Sequence, residues 1–244
     1  MKKIAIYGKG GIGKSTIAAN LSVALTNLGY KVMQIGCDPK ADSTYLLLHG
    51  KEVETVLDVI KKKGNDIVDT DIVNVGYKGI LCVEAAGPTP GLGCAGRGII
   101  VALDKIKELG IYEKLSPDYV IYDVLGDVVC GGFAMPMRKG YADKIYIVTS
   151  GEKMSLFQAR NIATATKNFS ERNYAKLGGI ILNKRNVENE EEKAKALAKD
   201  FDTSVISIIE RSSKIFEAEE KLMTVSELYE ESDENKNFLE LAKY

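Results

Sequence analysis

"KIAIYGKGGIGKST" (residues 3–16) is the stretch whose reading decides the fold. An apolar run ends in glycine, a turn rich in glycine and lysine follows, and a helical pattern opens at Ser15. Residues 8–15, GKGGIGKS, fit the spacing G-x-x-x-x-G-K-[ST], and they do so in the strand, turn and helix setting that gives the spacing meaning. Gly8, Gly10, Gly11 and Gly13, with Ile12 among them, let successive backbone N–H groups curl around phosphate oxygens. The helix N-terminus at Ser15 and Thr16 adds a favourable dipole. Lys14 is expected to neutralise the β- and γ-phosphates of a nucleotide, and Ser15 to ligate Mg²⁺. The alternative is a glycine-rich turn that holds nothing.

The alternation seen there continues along the chain. Apolar runs at 3–8, 31–36, 80–85, 119–124, 144–150, 177–183 and 203–209 read as strands. They are hydrophobic throughout, as parallel strands covered on both faces must be. Helical patterns fall at 15–28, 52–62, 97–109, 153–170, 189–200 and 213–221, with one more near the end. The pattern predicts an α/β fold with a doubly wound, mostly parallel sheet and ligands at the carboxyl ends of the strands. With no linker, repeat or low-complexity tract, residues 1–244 are expected to form a single domain.

Composition narrows the function. Apolar residues make up 45% of the 244 and charged residues 27%, enough for a sizeable core under a polar surface. A net charge of −1 creates no overall field for nucleic acid or an anionic membrane, so neither is expected as a partner. No apolar run approaches a membrane span, and "MKKIAIYG" is too short in apolar residues for a signal peptide, so a cytoplasmic location is expected. The cysteines at 37, 82, 94 and 130 show no CxxC spacing. Cys37 and Cys82 adjoin strand-like runs and are expected in the core. Cys94, in "PGLGCAGRG", and Cys130, in "VLGDVVCGGFAMP", sit among glycines, and packing does not account for them.

Two acidic segments also follow strand ends. "GCDPKADST" (36–44) offers Asp38 and Asp42, and "YDVLGD" (122–127) offers Asp123 and Asp127. Asp123 is placed to hold magnesium through water, Asp38 to orient an attacking water and Asp42 to sense the γ-phosphate. Turn or capping aspartates are the alternative. Cys94 precedes a helical pattern, whose N-terminus lowers a thiol pKa, and glycine amides can donate hydrogen bonds to sulfur. An iron–sulfur cluster usually takes four thiolates, a number that two loops from each of two symmetry-related chains could supply. On spacing alone a shared cluster, a redox-active pair and a zinc bridge all stay open.

With Lys9, the loop reads K-G-G-x-G-K-S and resembles the deviant Walker A class of P-loop ATPases. In that class this lysine reaches across a dimer interface to the partner's nucleotide. "YGKGGIGKST", "GCDPKADST", "GPTPGLGCAGRG" and "YDVLGDVVCGGFAMP" together resemble the nitrogenase iron protein family. The similarity runs from residue 3 to about 225 and includes "IYIVTSGEKMSLFQARNI" and "MTVSEL". The resemblance implies a homodimer with one [4Fe–4S] cluster held by Cys94 and Cys130 of both subunits, and one MgATP per subunit. It further implies ATP-gated electron delivery to a nitrogenase or nitrogenase-like catalytic protein, with a ferredoxin or flavodoxin recharging the cluster. Asp123 to Cys130, including Asp127, would be the switch segment. Asn183, in "ILNKRN", matches the family's adenine contact, and Arg97 its docking-surface arginine. Glu210 and Phe216 depart from the family, which usually has a proline and a polar residue there. Two rivals share the phosphate loop. A partitioning or positioning ATPase would bind DNA or membrane, which the acidic "SELYEESDENKNFLELAKY" does not suit. A cluster carrier ATPase would usually have CxxC.

Overall fold

A computed structural model describes residues 1–64, 66–85, 95–126, 131–170 and 174–244, Ala95 by its backbone alone. The strands are β1 (Lys2–Gly8), β2 (Val32–Cys37), β3 (Asn74–Val75), β4 (Leu81–Glu84), β5 (Tyr119–Leu125), β6 (Lys144–Thr149), β7 (Lys176–Asn183) and β8 (Val205–Ile209). They form one sheet in the order β3-β4-β2-β5-β1-β6-β7-β8. Every pairing is parallel except β3 with β4, so the sheet is mostly parallel, as the alternation predicts. The helices are α1 (Lys14–Asn27), α2 (Val56–Lys63), α3 (Asp69–Ile72), α4 (Ala95–Glu108), α5 (Ile111–Leu115), α6 (Lys153–Ser170), α7 (Glu190–Asp200), α8 (Ser213–Glu220), α9 (Val225–Leu228) and α10 (Asp233–Leu241).

β1 shows why the strands read as unbroken apolar runs. Ala5 and Tyr7 pack into one layer with Ile99 and Leu103 of α4 and Ile162 of α6. Ile4 and Ile6 pack into the opposite layer with Leu21 and Leu25 of α1 and Phe238 of α10. Helices cover both faces, so neither parity of the strand can be polar. The expected helix at 52–62 begins only at Val56, because the Thr55 hydroxyl accepts from the Asp58 amide at 3.2 Å and caps the helix there. β3, with two residues, and α3, α5 and α9, with four or five, are too short to leave a periodic signature. Cys37 and Cys82 are buried free thiols, as expected of core residues, and burial pushes the Cys82 thiol up to about 12.

Strand order then sets the site. β1 lies between β5 and β6, with β2 on the far side of β5, so the carboxyl ends of these strands share one edge. Register sets Gly8 beside Leu125 and Val148, and Gly36 beside both Asp123 and Glu84.

Candidate functional site

The phosphate loop leaves β1 under tight steric control. A Cβ on Gly8 would stand 2.5 Å from the Val148 carbonyl oxygen. Gly11 (φ 74°) and Gly13 (φ 93°) both adopt the left-handed region, and a Cβ on Gly13 would stand 2.6 Å from Nδ2 of Asn183. The Ile12 amide donates to the Lys9 carbonyl at 3.2 Å, and Lys14 Nζ donates to the same oxygen at 3.4 Å. Gly13 caps α1 without any side-chain hydrogen bond, and the first turn carries no acidic residue. By contrast, α2 has Thr55 and Asp58, and α10 has Ser232, Asp233 and Glu234. The first amides of α1 are thus left for an anion, and the dipole favours one.

Around this loop lies a cleft of about 990 Å³. Gly10, Gly11, Gly13, Lys14, Ser15 and Thr16 form its floor, and Asp38 and Asp42 line one wall. Asn183 and Arg185, from the end of β7 onward, line the other with Arg211 and Phe216. Asn183 Nδ2 donates to the Ile12 carbonyl at 2.7 Å, and Arg185 Nη2 to the Gly11 carbonyl at 3.0 Å. Lys9, next to Gly10 in the loop, is exposed, and so is Asp42. The Thr16 hydroxyl meets the Glu219 carboxylate. Glu210 turns to Lys184 at 3.1 Å, while Phe216 stands 63% exposed, available to a planar ligand. A second cavity, of about 280 Å³ between Leu21, Leu25, Ile181 and Leu241, lies at the amino ends of the strands and has none of these groups.

Asp123 ends the β5 apolar run 1% exposed. Burial raises its carboxyl above the usual range, and the Lys14 ammonium opposes that shift, as do the nearby Ser15 and Ser43 hydroxyls. Neither hydroxyl makes a bond of good geometry, and both carboxylate oxygens lack a partner among the described residues. A buried acid with two unmet acceptors beside Lys14 and Ser15 fits a hydrated Mg²⁺, whose waters donate hydrogen bonds. The residues present therefore fit MgATP. The Asp38 carboxylate accepts from the Lys40 amide at 3.0 Å, so a local turn fixes it at the cleft.

Cys94, Cys130 and Asp127 fall outside the described residues. The backbone on either side of the cysteines is nonetheless informative. Gly132 lies so close against Gly96 that a Cβ on Gly132 would overlap three backbone atoms of Gly96. Each glycine follows one of the cysteines by two residues, so residues flanking the two cysteines meet within one chain. Nearer the nucleotide cleft, a Cβ on Gly126 would overlap the Gly8 carbonyl, 2.7 Å from its carbon. The Tyr7 hydroxyl donates to the Phe133 carbonyl at 2.7 Å, and Gln158 Nε2 donates to the Gly126 carbonyl. Gly126, just after β5, is thus seated on the phosphate loop, and Gly132 on the first turn of α4. Arg97 is exposed near the start of α4 on that edge.

Sequence reasoning missed Arg185, Tyr7 and Gln158. Arg185 sits two residues past Asn183, and its place just beyond a strand end was a usable signal. The others depend on contacts between distant segments.

Comparison with known proteins agrees with this geometry. The family model described as 4Fe-4S iron sulfur cluster binding proteins, NifH/frxC family, matches residues 2–244. A nitrogenase iron protein from Methanospirillum hungatei is 51% identical over 246 residues, which span 100% of this chain and 87% of that protein. The cell division ATPase MinD from Pyrococcus furiosus superposes with a TM-score of 0.76 at 20% identity, covering 100% of this chain and 98% of that one. The septum site-determining protein MinD from Pyrococcus horikoshii, complexed with Mg-ADP, gives 0.76 at 22%, covering 100% and 95%. At such identities these likenesses establish the fold alone, that of a P-loop ATPase. The family match across the chain goes further: the protein belongs to the NifH/frxC family of 4Fe-4S iron sulfur cluster binding proteins.

Proposed function

We propose that this chain is the ATP-driven electron donor of a nitrogenase or nitrogenase-like system, working as a homodimer with one [4Fe–4S] cluster between its subunits. Cys94 and Cys130 of both chains would hold the cluster, which supplies one-electron chemistry at low potential when bound. The observation that supports the proposal is that residues flanking the two cysteines pack on the phosphate-loop strand and on each other: Gly126 on Gly8, Tyr7 on Phe133 and Gly132 on Gly96.

In each chain the amides of residues 10–16 and the Lys14 ammonium would bind the nucleotide phosphates. Ser15 would ligate Mg²⁺, and Asp123 would hold its waters. Asn183 and Phe216 would face the base. Nucleotide can shift a dimer between two states only by binding them with different affinity. Lys9, exposed in the phosphate loop, and Asp42, exposed at the cleft, would supply that difference, Lys9 by reaching the partner's nucleotide. Asp38 would orient the attacking water, and Asp127 would lie in the segment that moves. Since Gly126 packs on Gly8 with no room for a side chain between them, a shift of the phosphate loop would be felt at Gly126, four residues before Cys130. The catalytic partner would dock on the cluster edge near Arg97, and a ferredoxin or flavodoxin would recharge the protein.

Cys94→Ser and Cys130→Ser test the ligand assignment. Each is expected to abolish iron binding in anaerobically purified protein while nucleotide affinity stays. Iron that survives either substitution refutes the assignment, and a cluster handed readily to apo-acceptors would favour a carrier instead.

A further inference from the structure

The nucleotide cleft is polar at the phosphate loop and apolar across from it. Ile209 at the end of β8, Ile215 and Phe216 on α8, and Phe238 on α10 all line it. β8 stands three strands from β1 in the sheet, about 14 Å at the usual strand spacing of ~4.8 Å. A ligand whose phosphates sit on the loop therefore meets an apolar wall with its other end. Ile209 and Phe238 belong to the buried layer on this side of the sheet, with Ile215 packed against them. Phe216 does not, and stands 63% exposed. Isolated exposed apolar side chains are common on protein surfaces, so exposure by itself means little. The place of this one is what matters: of the large apolar side chains exposed among the described residues, it alone lines this cleft.

The helix that carries the ring is pinned at both ends. The Ser212 hydroxyl accepts from the Lys214 amide at 3.1 Å, capping α8, and donates to Glu234 at 2.6 Å. Lys214 Nζ pairs with the same carboxylate at 3.3 Å. Toward the other end, the Glu219 carboxylate meets the Thr16 hydroxyl at the start of α1. Residues three apart on a helix share a face, so Phe216 stands one turn from Glu219 on the face turned toward the phosphate loop. The ring thus sits at a fixed place between the phosphate end of the cleft and its apolar wall.

An aromatic side chain recognises the face of a base and is blind to its hydrogen-bonding edge. Two fused rings offer more face than one. We propose that Phe216 is the stacking platform for the nucleobase, and that through the ring area it covers it makes the cleft favour purine over pyrimidine nucleotides. Reading of the base edge then falls to other groups, Asn183 among them. This rests on the nucleotide reading of the cleft and adds to it the class of base selected and the residue that selects it.

The test is isothermal titration of full-length protein, with Mg²⁺ throughout, against ADP, IDP, UDP and pyrophosphate. Phe216→Ala should weaken ADP and IDP alike, roughly tenfold or more, the loss typical of one base–aromatic stack. UDP should lose less, so the preference for ADP over UDP shrinks. Pyrophosphate, which has no base, should bind as it does to the wild type, and that result also shows the phosphate loop to be intact. Phe216→Tyr keeps a ring and should keep the preference. An unchanged ratio of ADP to UDP affinity in Phe216→Ala overturns the proposal. So does a loss for ADP that spares IDP, which would mark an edge contact, or an equal loss for pyrophosphate, which would mark a purely structural role. A wild type that binds none of the four overturns the nucleotide reading instead.

Discussion

Replacing Gly132 by alanine should empty the cluster site while leaving the nucleotide site working. The new Cβ would overlap the carbonyl oxygen, carbonyl carbon and Cα of Gly96, all backbone atoms that cannot rotate away. Ordinary non-bonded carbon contacts lie at ~3.5–4.0 Å, so the two backbones must part by at least about 1 Å. Overpacking of this kind costs ~1–3 kcal/mol, which a folded domain can survive. Metal–ligand distances tolerate only ~0.2 Å, so the thiolates on those loops cannot follow. Gly131 provides the control: a Cβ there meets no described atom within 4 Å. Iron per dimer and visible absorbance should collapse in Gly132→Ala and persist in Gly131→Ala, with equal affinity for MgADP in both. Full iron in Gly132→Ala, or equal loss in both variants, would refute the claim that the glycine contact sets the cysteine spacing.

Gly13→Ala should abolish nucleotide binding, since it forces a side chain into the left-handed region and against Asn183 at 2.6 Å; isothermal titration showing normal affinity would count against the loop geometry. Lys9→Ala should preserve ADP affinity, because only the Lys9 carbonyl braces the loop, yet lose ATP turnover and ATP-driven compaction of the dimer in small-angle scattering. Normal turnover would remove Lys9 from the interface. Glu84, pushed up by burial to about 8, also predicts a pH dependence of stability. That folded value stands above the ordinary 4.5, so the folded state keeps a proton that the unfolded state has released. Its contribution is full below the lower value and is lost as pH rises to the upper one, by at most ~1.4 kcal/mol per unit. Urea midpoints of the wild type should therefore fall relative to Glu84→Gln over that window, and parallel curves would contradict that shift.

Much of this was legible in the sequence because local rules sufficed. GKGGIGKS admits few conformations, and continuous apolar runs leave little choice but a sheet covered on both faces. Strand ends then locate Asp38, Asp42 and Asp123 on one edge. Strand order was not local, and what depended on it stayed hidden. Glu84 looks like an ordinary acid at the end of β4 until the sheet is seen to bury it in register with Gly36. The glycines around Cys94 and Cys130 announced bare backbone, but only the fold pairs Gly132 with Gly96 and Gly126 with Gly8. Tyr7 lies within the first apolar run, and its bond to Phe133 joins residues separated by 126 positions. Glu210 and Phe216 marked departures from the family, and the structure gives one an ion pair with Lys184 and leaves the other open at the cleft.

The most direct measurement is native mass spectrometry of protein purified without oxygen from cells able to build iron–sulfur clusters. A cluster shared across a two-fold axis predicts two chains carrying a single set of four irons and four sulfides, lost together when either Cys94 or Cys130 is replaced. An iron-free dimer, or a complete cluster on each isolated chain, would contradict it.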